Sequence, residues 1–167
     1  MPLYEFGKEF KAVKKSLAKG DYAKALKALT ALESKGVEGA KDFKVGVEGM
    51  VTGSVAALQS ALDKGDFLAV LDGVAKYSKG FKGLDAEKEL IALKKAVAAH
   101  PQSKTVLKGQ RALAKALKGE LHKKKDLQKA LDATKKLQKS YAGTIVADQA
   151  KAAEADLRKK LQALNRR

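Results

Sequence analysis

Cysteine is missing from all 167 residues of this chain, which removes disulfides, zinc–thiolate sites, iron–sulfur clusters and thiol catalysis from consideration. Tryptophan is missing too, and aromatics make up only 5% of the sequence, so a core has to be built mainly from leucine, valine and alanine. Proline occurs only as Pro2 and Pro101, which leaves long stretches free of the strongest helix breaker. No apolar run approaches the ~18 residues that a membrane-spanning helix needs. The first ten residues carry Glu5 and Glu9 where a signal peptide would have an apolar stretch. These deficits predict a water-soluble chain.

Histidine is nearly as scarce. His100 and His122 stand 22 residues apart, outside the H-x-x-x-H and H-E-x-x-H spacings that put two imidazoles on one helix face. Neither a phosphate-cradling G-x-x-x-x-G-K-[ST] loop nor a G-x-G-x-x-G between strand and helix is present. The carboxylate pairs Asp63 with Asp66 and Glu87 with Glu89 read as helix ends and solvated faces, not as acid–base machinery. The expectation is a non-enzyme with no catalytic, cofactor-binding or metal-binding residues.

What is abundant is lysine, alanine and leucine, all good helix formers. Hydrophobic residues reach 45% of the chain, and a domain of this length buries roughly 68–70% of its unfolded surface. One domain over 1–167 is expected, with 1–100 and 101–167 as its sub-units. The net charge is +16, and 31 of the 35 basic residues are lysine. Lysine is a hydrated point charge, whereas arginine reads phosphates and bases in bidentate fashion. Such a surface suits solubility or loose attraction to polyanions better than sequence-specific readout.

An internal repeat organises the chain. Lys19-Gly20-Asp21-Tyr22-Ala23-Lys24-Ala25-Leu26 is echoed 45 residues on by Lys64-Gly65-Asp66-Phe67-Leu68-Ala69-Val70-Leu71. A further 60 residues on comes Lys124-Lys125-Asp126-Leu127-Gln128-Lys129-Ala130-Leu131. Each reads as a helix stop followed by a helix start: the glycine takes a left-handed conformation and the aspartate caps the next helix. Phe81-Lys82-Gly83 and Tyr141-Ala142-Gly143 follow Asp66 and Asp126 at the same interval of 15.

The helical period predicts about eight helices and no strand, an all-α fold of antiparallel hairpins. They run from about Leu3 to Ala18, Asp21 to Ser34, Glu38 to Asp63 and Asp66 to Tyr77. Four more run from about Leu84 to Ala99, Ser103 to Lys124, Asp126 to Ser140 and Thr144 to Leu164. His100-Pro101 stops the fifth, because a residue before proline avoids the α region, and Ser103 is placed to cap the sixth. Gly39, Gly46, Gly49 and Gly53 crowd the third helix, where each interior glycine costs ~1 kcal/mol against alanine. Two explanations stay open: a close helix–helix approach on a heptad-spaced face, or a break near Gly49.

Gly20-Asp21-Tyr22-Ala23-Lys24-Ala25-Leu26 resembles the start of the second helix of a tetratricopeptide repeat. Tyr141-Ala142-Gly143-Thr144, followed by Ala147, Ala150 and Ala153, is similar to the Y-P-G-T helix entry of tetratricopeptide-like proteins of the bacterial envelope, and Phe81-Lys82-Gly83-Leu84-Asp85-Ala86 is a weaker copy. The resemblance touches about half of the chain. Its departures are the spacings of 45 and 60, against the family's 34, and the missing Trp and Leu-Gly of a standard first helix. It implies a stacked, tetratricopeptide-like scaffold that holds a protein or peptide partner, in the bacterial envelope, or an accessory domain of a larger thioredoxin-like protein.

The residues single out one candidate surface. Lys104, Lys108, Arg111, Lys115, Lys118, His122 and Lys125 step by 4, 3, 4, 3, 4 and 3, which on a continuous helix gives one cationic face. From Lys104 to Lys139 there are 12 lysines or arginines against three acids, +9 of the total +16. Two readings compete: a polyanion-binding face for nucleic acid, polysaccharide or an anionic surface, and an ordinary solvated helix face. The lack of interleaved aromatics speaks against base stacking.

Overall fold

The computed structural model describes residues 7–118 and 121–165. Among them are eight α-helices, one short 3-10 turn and no strand: α1 Lys11–Ala18, α2 Tyr22–Glu33, α3 Ala40–Asp63, α4 Phe67–Tyr77, α5 Asp85–Ala99, α6 Ser103–Leu117, α7 Lys124–Ser140 and α8 Ile145–Asn165. The protein is all-α. The chain divides into two compact units, one of residues 1–62 with 69–98, the other of 63–68 with 99–167.

The first unit begins differently from the sequence expectation. Gly7 is extended (φ −63°, ψ −174°) and a 3-10 turn over Lys8–Phe10 leads into α1, so no single helix runs back through residue 7. Leu3 and Phe6, expected on the apolar face, lie outside the described residues. Phe10 and Val13 are buried as expected and join Ala25, Leu29, Ala40, Phe43 and Val47 in one apolar cluster. Asp21 then caps α2, its carboxylate accepting the Lys24 N–H at 3.2 Å, while Gly20 sits at φ +70° as the expected left-handed residue.

A second contact locks the α1–α2 turn in place. Gly80, after α4, accepts the Ala23 N–H at 2.9 Å. A Cβ on Gly80 would stand 1.9 Å from the Gly20 carbonyl oxygen, so only glycine admits this approach. Tyr22 meets the edges of Phe81 and Tyr77 at 5.3 and 6.5 Å between ring centres. Three of the few aromatics, Tyr22, Tyr77 and Phe81, thus meet at this turn.

Neither explanation of the third helix's glycines holds. The helix is continuous from Ala40 to Asp63, and no heavy atom lies within 4 Å of a Cβ built on Gly46, Gly49 or Gly53. All three face outward, with Val45 and Met50 exposed beside them. Gly39 precedes the helix at φ +76°. The inward face carries Phe43, Val47, Val51, Val55 and Leu58 at helical spacing, and that row is enough to bury α3.

In the second unit α7 and α8 pack along each other through the turn 141–144, and α6 packs on both. Leu127, Ala130, Leu131 and Leu157 form the core, with Leu117, Leu121 and Leu161 packed around it. Gly143 (φ +76°) repeats in this unit what Gly83 (φ +85°) does in the first. In both turns the residue after the glycine donates back to the aromatic carbonyl, Leu84 to Phe81 at 2.9 Å and Thr144 to Tyr141 at 3.1 Å. The Lys124–Leu131 copy departs from the other two. α7 starts at Lys124, with Lys123 as its N-terminal neighbour, so Asp126 lies in the first turn and does not cap it. No described helix is long and apolar enough to cross a membrane.

Candidate anion-binding face on the sixth and seventh helices

α6 starts three residues after His100, whose Nδ1 accepts the Gln102 N–H at 3.2 Å and whose ring lies 4.7 Å from that of Phe67. His100 is therefore a helix-end residue in an aromatic contact. Ser103, expected to cap α6, is instead its first residue and is buried, behind Gln102, which makes no side-chain cap. The buried face of α6 carries Val106, Gly109, Gln110 and Leu113. Gly109 lets the helix approach closely there, since a Cβ would stand 2.9 Å from side-chain atoms of both Tyr141 and Val146 and one of them would have to shift.

With that face turned inward, Lys104, Lys108, Arg111 and Lys115 come out exposed on the other side. None of the four is among the ion pairs seen between described residues, which include Lys24–Asp21, Lys44–Glu33, Lys88–Asp85, Arg158–Glu154 and Lys159–Asp156. Four like charges at successive turns repel by a few tenths of a kcal/mol per pair.

The seven-residue stripe does not continue as one helix face. α6 ends at Leu117, and Lys118 is already extended (φ −74°, ψ 133°). His122 lies in the turn before α7, and Lys125 is in the first turn of α7 itself. Two physical causes end α6 there. Gly119 follows, a poor helix residue, in a segment whose continued helix would stack more like charges. Reversing the chain also lets Leu121 join Leu117 on the α7–α8 core. Lys118, His122 and Lys125 are exposed, but they belong to the turn and the next helix.

The reversal creates a groove between α6 and α7 of about 550 Å³. Its apolar lining is Ala112, Ala116, Leu121, Ala130 and Ala133, with Lys115, Lys118 and Lys129 as cations and Asp126 as an acid. The structure thus brings Lys115 and Lys118 together with Lys129, which the spacing along α6 had no means of including. The only hint was its position four residues beyond Lys125. Asp126, expected as a cap, lines this groove instead.

The first unit has an open groove of its own, about 410 Å³, beside Val74, Leu90, Ile91 and Ala98, with Ser78, Glu87, Lys94 and Lys95 on its lining. Ile91 is half exposed there. Glu87, half of a carboxylate pair weighed for acid–base work, accepts the Gly83 N–H at 2.8 Å and fastens the turn before α5. Asp66, from the other pair, accepts Gln110 Nε2 at 3.0 Å. Among the described residues no group of His, Asp and Glu is placed to hold a metal.

No family model matches this chain, and neither a curated protein nor a solved structure matches it. The tetratricopeptide resemblance rests on its quoted residues alone.

Proposed function

We propose that this chain is a non-enzymatic helical scaffold that holds a protein or peptide partner against the open side of its helical hairpins, in the manner of a tetratricopeptide-like array. The observation that carries the reading is the α6–α7 groove, with its methyl-lined floor and lysines beside it. Apolar grooves of about 300–1,000 Å³ with a few placed polar groups are where folded proteins bind ligands, and apolar grooves also take amphipathic helices of other chains. Capture from a lysate of the source organism tests it, comparing the parent chain with Ala112→Leu/Ala133→Leu and Ile91→Asp at low and high salt. A partner that survives high salt and is lost with one groove variant supports the scaffold. Partners retained equally by all three chains contradict it.

A second reading, attachment to a polyanion, is favoured by one specific observation. Lys104, Lys108, Arg111 and Lys115 stand exposed in a row, outside the ion pairs seen between described residues, and counterions released from such a row favour nucleic acid or an anionic polysaccharide. Binding of this kind washes off at high salt, whereas a groove-bound partner stays.

A further inference from the structure

We infer that the α6–α7 groove takes an acidic, amphipathic helical segment of the partner protein, with apolar side chains on the alanine floor and carboxylates toward Lys115, Lys118 and Lys129. The inference rests on the scaffold reading and narrows it to one occupant.

Ala112 and Ala116 on α6 and Ala130 and Ala133 on α7 line the groove together, and with only a methyl group at each of these four positions the space beside them stays open. Ala112 is exposed, Ala116 and Ala133 are half-buried and Ala130 is buried, so part of the floor is apolar surface open to solvent. Covering it with a partner's apolar side chains is favourable. A helix laid in a groove supplies such a row from positions i, i+4 and i+7.

Charge selects among the chains that could supply that row. Three lysines line the groove against one described acid, Asp126, and the stripe of α6 adds Lys108 and Arg111 on the adjoining face. Like-charged partners are repelled and acidic ones steered in. Exposed lysine–carboxylate pairs each contribute little. The floor therefore supplies the affinity, and the lysines supply orientation and selectivity. Asp126 adds a direction, since the end of the partner that meets it is best neutral or basic.

Nucleic acid fits the same lining poorly. The groove has no arginine and no aromatic side chain among its described residues, so it offers neither bidentate phosphate contacts nor a stacking platform. A phosphodiester gains nothing from an alanine floor. Acidic helix and nucleic acid also differ in what they need from this chain, the first the groove's open volume and the second only its lysines.

Fluorescence anisotropy with the full chain at physiological salt separates them. The probe is a labelled synthetic helix of about five turns, leucine at the i, i+4, i+7 positions flanked by glutamate, alongside a scrambled peptide of the same composition and a short DNA duplex. The parent chain is expected to prefer the amphipathic peptide over the scrambled one. Ala112→Leu/Ala133→Leu, which fills the groove and keeps every charge, should weaken that binding about tenfold or more. Lys115→Glu/Lys118→Glu/Lys129→Glu should weaken it as well. Circular dichroism melts verify that the variants fold, and Ala112→Leu alone, at an exposed position, keeps the test open if the pair does not. The inference is overturned if the scrambled peptide binds as tightly, if filling the groove changes nothing, or if the duplex displaces the peptide from parent and filled groove alike. A lysate partner lost with Ile91→Asp but kept by the filled groove overturns this inference while leaving the scaffold standing.

Discussion

Gln110 Nε2 donates to Asp66 Oδ1 at 3.0 Å, and Gln110 Oε1 accepts the Leu68 N–H at 2.9 Å. One buried side chain thus joins α6 to both ends of the turn that starts α4. The same amide lies 3.3 Å from the Gly65 carbonyl and 3.3 Å from Gln149 Oε1. Because Gln110 is only 3% exposed, water cannot easily replace these partners. Gln110→Ala should destabilise the fold by ~1–3 kcal/mol, the cost of stranding buried polar groups. Urea denaturation measures it, and a loss below a few tenths would mean that the network is dispensable.

The helix caps give a second test. Asp21→Ala removes the acceptor of the Lys24 N–H and should cost ~0.5–2 kcal/mol. Asp66→Ala removes an acceptor of Gln110 and should lower stability as well, while the third copy is different. Asp126 does not cap α7, so Asp126→Ala should cost clearly less than Asp21→Ala when the three melts are compared.

Glycine substitutions separate open positions from closed ones. Gly46→Ala, Gly49→Ala and Gly53→Ala each place a methyl in empty space inside a continuous helix, and each should raise stability by ~0.4–1 kcal/mol. Gly80→Ala drives a methyl into the Gly20 carbonyl and should lower stability by ~1–3 kcal/mol. Thermal melts showing all four with the same sign would contradict the packing described for α3 and the α1–α2 turn.

Acid should weaken the fold in a definite direction. The Lys24 side chain holds the Asp21 carboxyl below its ordinary value, Lys88 does the same for Asp85, and hydrogen bonds from Gln138 and then Arg158 do so for Glu154. Folded values below the unfolded ones mean stability that is complete above the ordinary carboxylate range. It is lost as pH falls through that range to the depressed values. Asp85 is open to solvent and Asp21 and Glu154 are partly covered at the surface, so the effect is small and screened by salt. Asp21→Asn should flatten the pH dependence of the urea midpoint on the acid side; an unchanged slope would remove Asp21 from the account.

The basic row of α6 yields a comparison of charge in place with charge in general. Lys104→Gln/Lys108→Gln/Arg111→Gln/Lys115→Gln should weaken heparin or duplex binding and flatten its salt dependence by about 0.9 log units per lost phosphate contact. Stability should hold or rise slightly, since repulsion along the helix is relieved. The comparison set is Lys15, Lys27, Lys35 and Lys41, all exposed in the other unit. Equal losses from both sets would reduce the attraction to net charge.

Three of the seven helix junctions were legible because two local signals coincide, an apolar row of period 3.6 and a glycine–aspartate or proline stop. Gly20-Asp21 and His100-Pro101 mark such places, and the helices end there. The end of α6 was not legible. No proline marks Lys118-Gly119, and in a lysine-rich chain the 4-3-4-3 spacing runs on by coincidence through a turn. Lys129 entered the candidate site only through the reversal of the chain, which no local pattern encodes. Gln110 left a usable trace, a polar residue between Val106 and Leu113 on the apolar face, where a buried hydrogen-bonding role is the natural explanation.

Hydrogen–deuterium exchange of the full chain, alone and with its salt-resistant lysate partner bound, tests the central claim most directly. The account predicts slowed exchange in the facing segments 112–118 and 126–133, across the α6–α7 groove, with the outer face of α3 around Gly49 unchanged. Protection confined to α3 or α8, with none in those two segments, would contradict it.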